Sequence, residues 1–218
     1  MDQHAELAAL RAEYRQRGVD EDDLDPDPLV AFRNWFDDAV AAGLPEPNAM
    51  VLATADPEGR PAARTVLLKG IDQRGFRFFT NYGSSKGRHL AANPACALVF
   101  LWQPLARQVC IAGQAQRLSR EESIEYFASR PRGSRLGAWA SRQSEVVPDR
   151  ELLDRRLAEL DREYEGEADI PLPPFWGGYV VVPDSVELWQ GRPNRLHDRL
   201  RYFRSRPGEP WRIERLSS

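Results

Sequence analysis

The stretch MVLATADPEGRPAARTVLLKGIDQRGFRFFT, residues 50–80, decides the fold. Met50–Ala55 reads as a strand and Asp56-Pro57-Glu58-Gly59 as a turn. Arg64–Gly70 reads as a second strand, Asp72-Gln73-Arg74-Gly75 as another turn, and Phe76–Thr80 as a third strand. Upstream, residues 5–17 carry Leu7, Leu10 and Tyr14 at helical spacing. The acidic, proline-punctuated segment Asp20–Pro28 predicts a loop or flexible joint, which would make the first helix a mobile arm. A second helix fits 28–42, with Leu29, Phe32, Trp35, Phe36 and Val40 on one side and Gly43 and Pro45 as its stop.

Downstream, a short helix over 84–92 is closed by Asn93-Pro94. Ala95–Trp102 and Arg107–Leu118 predict a hairpin of long strands. Ser119-Arg120-Glu121-Glu122 is a capping box that opens a helix to about Ser129, and further helices fit 133–142 and 149–164. Strands return at Gly178–Val182, Ser185–Gln190, Arg195–Ser205 and Trp211–Leu216. Helices set between runs of antiparallel strands give an α+β fold with a closed or nearly closed barrel. Residues 1–25 form an arm and linker; 26–218 form one domain with a helical insert at about 119–165, since no composition break demands two domains.

The chain has 218 residues, 42% hydrophobic and 29% charged, with a net charge of −3. That is globular composition with no polycationic surface, so nucleic acid is not the expected partner. No apolar run is long enough to span a bilayer, and the first residues lack the layout of a signal peptide. Two cysteines, Cys96 and Cys110, are no disulfide framework; a reducing cytoplasm is expected. Three histidines and two distant cysteines give no metal-ligand spacing. Gly-x-x-x-x-Gly-Lys-Ser/Thr, Gly-x-Gly-x-x-Gly and Gly-x-Ser-x-Gly are all missing. A hard reaction on this chain would need a bound organic cofactor.

Of thirty cationic side chains only Lys69 and Lys86 are lysines, which hints that a compact ammonium is wanted there. In Arg195-Leu196-His197-Asp198-Arg199-Leu200-Arg201, strand alternation would place Arg195, His197, Arg199 and Arg201 on one face. Such a face holds an anion or electron-rich ring, or is the solvated rim of a sheet. Arg64 and Lys69 bracket an apolar strand; strict alternation puts them on opposite faces, serving two anions, unless a bulge intervenes. Asn81-Tyr82-Gly83-Ser84-Ser85-Lys86-Gly87 is either a phosphate seat at a helix start or an ordinary glycine loop. Tyr126, Arg130 and Ser134 could grip a second phosphate, or form a capped turn with a basic rim. Together these suggest a phosphorylated cofactor meeting a phosphorylated substrate.

Five segments now carry a resemblance: Arg64–Lys69, Ser129-Arg130-Pro131-Arg132, Gly137-Ala138-Trp139, Phe175-Trp176-Gly177-Gly178, and Trp189-Gln190-Gly191 with Arg195-Leu196-His197-Asp198-Arg199. With them the chain resembles the pyridoxamine 5′-phosphate oxidases from about Leu10 to Leu216. The resemblance implies an FMN-binding antiparallel split β-barrel with flanking helices, and a homodimer with FMN sites shared between subunits. It implies oxidation of pyridoxine or pyridoxamine 5′-phosphate by dioxygen to pyridoxal 5′-phosphate, with hydrogen peroxide, and ammonia from the amine. By the family pattern Arg64, Thr65, Val66, Leu67, Leu68, Lys69, Phe79, Thr80, Ser85 and Lys86 line the FMN, and Gln108, Gln143, Ser144, Trp189 and Arg199 complete its site. Lys69, Tyr126, Arg130 and Ser134 would hold the substrate phosphate, with Arg195, Leu196 and His197 at the pyridine ring; Arg195 and His197 are the candidate catalytic residues. Arg11 and Tyr14 match residues that fold over the substrate.

The chain departs from the pattern at two positions: Phe79 where tyrosine is frequent, and Ser85 where arginine is frequent. Ser85 removes one charge-assisted bond to the FMN phosphate, so weaker FMN binding is expected than in relatives with arginine there. Two alternatives remain: another oxidase or reductase on the same barrel, and a non-catalytic FMN- or pyridoxal-phosphate-binding protein.

Overall fold

The structure, a computed structural model, describes residues 18–218 except Ala168 and Pro207. The helix expected over 5–17, with Arg11 and Tyr14, lies outside the described residues. The helices are α1 (Pro28–Ala41), α2 (Ser85–Ala92), α3 (Arg120–Ala128), α4 (Arg132–Ala140) and α5 (Glu151–Glu163). The strands are β1 (Ala49–Ala55), β2 (Pro61–Leu67), β3 (Gly70–Asp72), β4 (Gly75–Asn81), β5 (Ala95–Trp102), β6 (Arg107–Arg117), β7 (Trp176–Gln190), β8 (Asp198–Phe203) and β9 (Arg212–Arg215). Hydrogen bonds link them in the order β2-β1-β5-β6-β7-β4-β3, with β8 on β7 and β9 on β8. The β1–β2, β3–β4, β4–β7, β7–β8 and β8–β9 pairs are antiparallel. This is the antiparallel sheet with flanking helices that the split-barrel expectation requires.

The chain divides into two compact units, and β5, β6 and β7 contribute residues to both. The first unit is Asn48–Leu98 with Ala112–Pro183. Its β1–β2 hairpin alternates as a half-buried strand should: Met50, Leu52 and Thr54 are buried, and Leu52 stands opposite Arg64. Asp56 closes the turn by accepting the backbone N–H of Glu58 (3.1 Å) and Arg60 (2.8 Å), while Gly59 takes the left-handed φ of +79°.

The second strand differs from the expectation. It runs Pro61–Leu67 rather than Arg64–Gly70. Leu68 donates its N–H to the Asn48 carbonyl (2.8 Å) and Lys69 donates its own to the Arg77 carbonyl (2.8 Å). The chain therefore leaves β1 and joins β4 between these residues. Alternation no longer ties the faces of Arg64 and Lys69 together.

The capping box that opens α3 is present: the Ser119 hydroxyl accepts the Glu122 N–H (3.1 Å), and the Glu122 carboxylate accepts the Ser119 N–H (2.9 Å). Phe127, Leu136, Ile170, Leu172 and Trp176 form the core beneath α3 and α4. The two strands expected at 178–182 and 185–190 are one strand, β7. It pairs with β4 up to Val181 and with β8 from Ser185. Pro183 falls between those two ladders, where its missing N–H costs no bond to either.

The second unit comprises the described residues up to Pro47, Val99–Ile111 and Asp184–Ser218. Phe32 of α1 packs on Phe100 (4.9 Å between ring centroids) and Trp102 (5.9 Å). The segment expected as a loop or joint before α1 is tied down. Val19 donates to Asp198 (3.1 Å), and Arg215 holds Asp20 (2.9 Å) and Glu21 (2.8 Å).

The strand expected over Arg195–Ser205 is corrected to Asp198–Phe203. Pro193–Arg195 is a 3-10 turn in which Asn194 and Arg195 both take left-handed φ, +58° and +61°. Arg195 and His197 therefore do not share a strand face with Arg199 and Arg201. Those two arginines are neutralised by carboxylates on adjacent strands, Arg199 by Glu187 (2.8 Å) and Arg201 by Glu214 (2.9 Å). The like-charge argument for a ligand on that face is thereby answered by the protein itself.

Candidate active site

The first unit holds a cleft of about 280 Å³. Strand β2 brings Thr65, Val66 and Leu67 to it, the β2–β3 link brings Lys69, and β4 brings Phe79, Thr80 and Asn81. Lys86 enters from the first turn of α2, Tyr126 and Arg130 from the end of α3, and Gln143 from the segment after α4. Trp176, the first residue of β7, closes the wall. A second hollow is lined by Arg130, Ser134, Gly137, Gln143, Asn81 and Trp176 among others, so Arg130 borders both.

At the start of α2 the predicted residues are already connected. The Gln143 side-chain carbonyl accepts from the Lys86 ammonium (2.9 Å) and the Thr80 hydroxyl (3.2 Å). The Ser144 hydroxyl accepts the Ser85 backbone N–H (3.2 Å), one of the helix-start donors. Ser144 is held at a left-handed φ of +73° to do so. Burial lowers the Lys86 pKa, and the positive Arg64 guanidinium lowers it further. Two cations brought together in a partly buried place favour an anion between them.

A second cation stands at the other side of the cleft. Arg130 stacks its guanidinium over Trp176 (4.7 Å to the ring centroid) and Phe127 (5.5 Å). Its Nη1 is buried with no hydrogen-bond partner. Burial lowers the Arg130 pKa and raises that of Tyr126, one turn before it. Phe79 stacks on Tyr126 (3.8 Å) and on Trp176 (5.6 Å), giving an aromatic wall of three parallel rings. An orphaned buried guanidinium nitrogen, the Lys86 ammonium and an aromatic wall at one cleft fit groups that are aromatic and carry phosphate.

The structure thus gathers eight of the predicted cofactor residues at the cleft: Thr65, Val66, Leu67, Lys69, Phe79, Thr80, Lys86 and Gln143. It also brings the substrate-phosphate candidates Lys69, Tyr126 and Arg130 there, and Ser134 beside Arg130 in the second hollow. Ser85 and Ser144 sit at the α2 start. Leu68 is buried in the core and does not line the cleft. Gln108, Trp189, Arg195, Leu196, His197 and Arg199 all belong to the second unit. There Trp189 packs on His197 (4.6 Å), and His197 Nδ1 accepts the Arg192 N–H (3.0 Å), which places the ring proton on Nε2. Gln108 Nε2 donates to Cys110 Sγ (3.3 Å), and both cysteines are free thiols.

Sequence reasoning missed Trp176 as a cleft residue and had Asn81 only as the first residue of the candidate phosphate loop. Trp176 stands in one of the five family segments, and that was its only signal. Its place depends on the β4–β7 register, which sets Asn81 opposite Trp176.

Comparison with known proteins gives the family. The family model for pyridoxamine 5′-phosphate oxidase matches residues 36–162, and the pyridoxine 5′-phosphate oxidase C-terminal dimerisation region matches residues 176–218. A pyridoxine/pyridoxamine 5′-phosphate oxidase of Rubrobacter xylanophilus is 62% identical over 211 residues, covering 97% of this chain and 96% of that protein. One from Salinibacter ruber is 57% identical, covering 98% of this chain and 99% of that protein. Among solved structures, PhzG from Burkholderia lata 383, in complex with tetrahydrophenazine-1-carboxylic acid, superposes with a TM-score of 0.85 at 34% identity, covering 90% of this chain and 95% of that one. An FMN binding protein of Nostoc punctiforme, related to pyridoxamine 5′-phosphate oxidase, shares the fold at a TM-score of 0.69 and 20% identity, covering 86% of this chain and 97% of that one. The cleft, its cations and these matches lead to one conclusion: the chain belongs to the pyridoxamine 5′-phosphate oxidase family.

Proposed function

We propose that this chain oxidises pyridoxine 5′-phosphate and pyridoxamine 5′-phosphate to pyridoxal 5′-phosphate, with FMN as its cofactor and dioxygen as the final acceptor. The alcohol and dioxygen give the aldehyde and hydrogen peroxide; the amine consumes one water as well and releases ammonia. The observation that carries the reading is the pair of cationic seats in one aromatic-walled cleft. Arg64, Ser85 and Lys86 would hold the FMN phosphate at the start of α2. Lys69, Tyr126, Arg130 and Ser134 would hold the substrate phosphate. FMN, when bound, supplies the redox chemistry by taking two electrons and passing them to dioxygen.

The protein's own part is positioning. The phosphate grip is remote from the reacting carbon, and its binding energy orients the ring. Arg195 and His197 would lie against that ring, with His197 offering an Nε2–H donor because Nδ1 is engaged by Arg192. We place these two, with Gln108, Trp189 and Arg199, in the site of the second subunit of a homodimer. The match of residues 176–218 to a dimerisation region supports a dimer. A reducing, cytoplasmic setting belongs to this reading, supported by the two free thiols.

The relative solved with tetrahydrophenazine-1-carboxylic acid suggests a second reading, a tricyclic substrate on the same scaffold. The orphaned Arg130 Nη1 next to Tyr126 and Ser134 favours a phosphate instead. The test is the visible spectrum of the FMN-loaded protein with oxygen excluded. Addition of pyridoxine 5′-phosphate should bleach the flavin band, and air should restore it with pyridoxal 5′-phosphate in solution. A band that persists would remove this substrate.

A further inference from the structure

Arg64 is oriented by residues that the family motifs do not mark. It stands on β2 opposite Leu52 of β1. Its Nη1 donates to the Leu52 carbonyl (3.0 Å) and to the Thr54 hydroxyl (2.7 Å). Guanidinium nitrogens only donate, so the Thr54 oxygen is the acceptor there and its single proton stays available for another partner. His89 Nδ1 lies 3.1 Å away on the last turn of α2. A Thr54 hydroxyl that donates there makes Nδ1 the acceptor and leaves the imidazole proton on Nε2, the tautomer that the ¹⁵N measurement below reads. Thr54 is 4% exposed, and as a β-branched residue it has little rotamer freedom. The first turn of the same helix carries Ser85 and Lys86. A continuous chain of hydrogen bonds thus runs from Arg64 through Thr54 to the helix that supplies the other cation.

We propose that Thr54 and His89 are positioning residues for the Arg64 guanidinium, holding Nη1 so that the remaining donors are presented to the flavin phosphate. The inference rests on the reading that Arg64 takes that phosphate. Neither residue touches the flavin in this role.

The experiment compares the dissociation constants of FMN and riboflavin by quenching of flavin fluorescence on the full-length apo-protein. The dissociation constant of riboflavin divided by that of FMN isolates the phosphate. Thr54→Val removes the hydroxyl at nearly constant volume, and should lower the ratio about tenfold with riboflavin affinity within twofold of the starting protein. His89→Leu should lower it in the same direction. Thr54→Ser and His89→Gln, which keep a hydroxyl and an acceptor, should hold the ratio. In ¹⁵N NMR of the starting protein His89 Nδ1 should be the unprotonated ring nitrogen, and Thr54→Val should relax that preference. A ratio that collapses in Arg64→Leu but stays unchanged in Thr54→Val and His89→Leu overturns the positioning role and leaves the phosphate seat standing. Equal loss of both flavins also overturns it, since the role would then be structural. A ratio unchanged in Arg64→Leu overturns the phosphate reading itself, and the proposal with it.

Discussion

Arg130 carries the sharpest residue-scale signal, a buried guanidinium nitrogen with no protein partner. Leaving such a donor unpaired costs on the order of 1–3 kcal/mol, which a bound phosphate oxygen returns as a charge-assisted bond. Arg130→Ala should therefore lower kcat/KM for pyridoxine 5′-phosphate by about 10- to 100-fold, a range that follows from that energy. Turnover of unphosphorylated pyridoxine should hardly change. Steady-state kinetics on both substrates check this, and equal losses would remove the phosphate from Arg130. Lys86 gives a pH-dependent signal at the same scale. Burial and Arg64 hold its pKa below the usual 10.5, so part of its charge is lost at a lower pH than for a free lysine. A phosphate favours the charged form, so FMN binding takes up a proton as pH approaches the lowered value. FMN affinity should fall as pH rises through that value, before the ordinary lysine range is reached. Lys86→Met should bind FMN more weakly and without this limb, as titrations at several pH values would show.

At the scale of elements, the placement of α2 decides whether its start can serve as an anion seat. Ser84 caps the helix by accepting the Gly87 N–H (3.3 Å). Gly87 is there for a steric reason: a Cβ on it would meet the Tyr82 carbonyl oxygen at 2.3 Å, and backbone cannot yield as a side chain can. The close approach presses α2 onto the turn that precedes it. Gly87→Ala should push the helix start outward. We expect a loss of about 1–3 kcal/mol of stability in urea unfolding, the usual cost of overpacking, together with weaker FMN binding. Unchanged stability would mean that the turn can move away from the helix.

At the scale of the whole molecule, the candidate residues divide by unit. The cleft with Lys69, Tyr126 and Arg130 belongs to one unit, while Arg195 and His197 belong to the other. Two subunits related by two-fold symmetry can complete each other's sites, and that arrangement has a plain genetic consequence. Arg195→Leu alone should strongly reduce turnover yet leave the protein yellow, and Arg130→Ala alone should be impaired as above. Unfolding and refolding a mixture of the two should regain turnover, because a mixed dimer carries one site with both arginines. Random pairing would restore up to about a quarter of the sites, as expected for a symmetric dimer. No recovery would place each complete site within a single chain.

What could be read from residues alone was local. The Ser119–Glu122 capping box, the Asp56–Gly59 turn and the stop at Gly43 each depend on bonds between near neighbours or on a left-handed φ, and each appears in the structure as expected. The cations at the cleft were also legible, because Lys69 and Lys86 are the only lysines and Arg130 sits in a family segment. Tertiary structure decided what depends on distant pairing. The switch of partner at Leu68-Lys69 has the Asn48 and Arg77 carbonyls accepting successive N–H groups, which strand alternation within β2 does not encode. The left-handed turn at Asn194-Arg195 broke an apparent strand, and carboxylates on β7 and β9 neutralised the arginines of β8. Trp176 reached the cleft only through the β4–β7 register, and His89 met Thr54 only because α2 folds against β1. Local bonds are written in neighbouring residues, whereas register and close approach are fixed when remote segments bury their surfaces together.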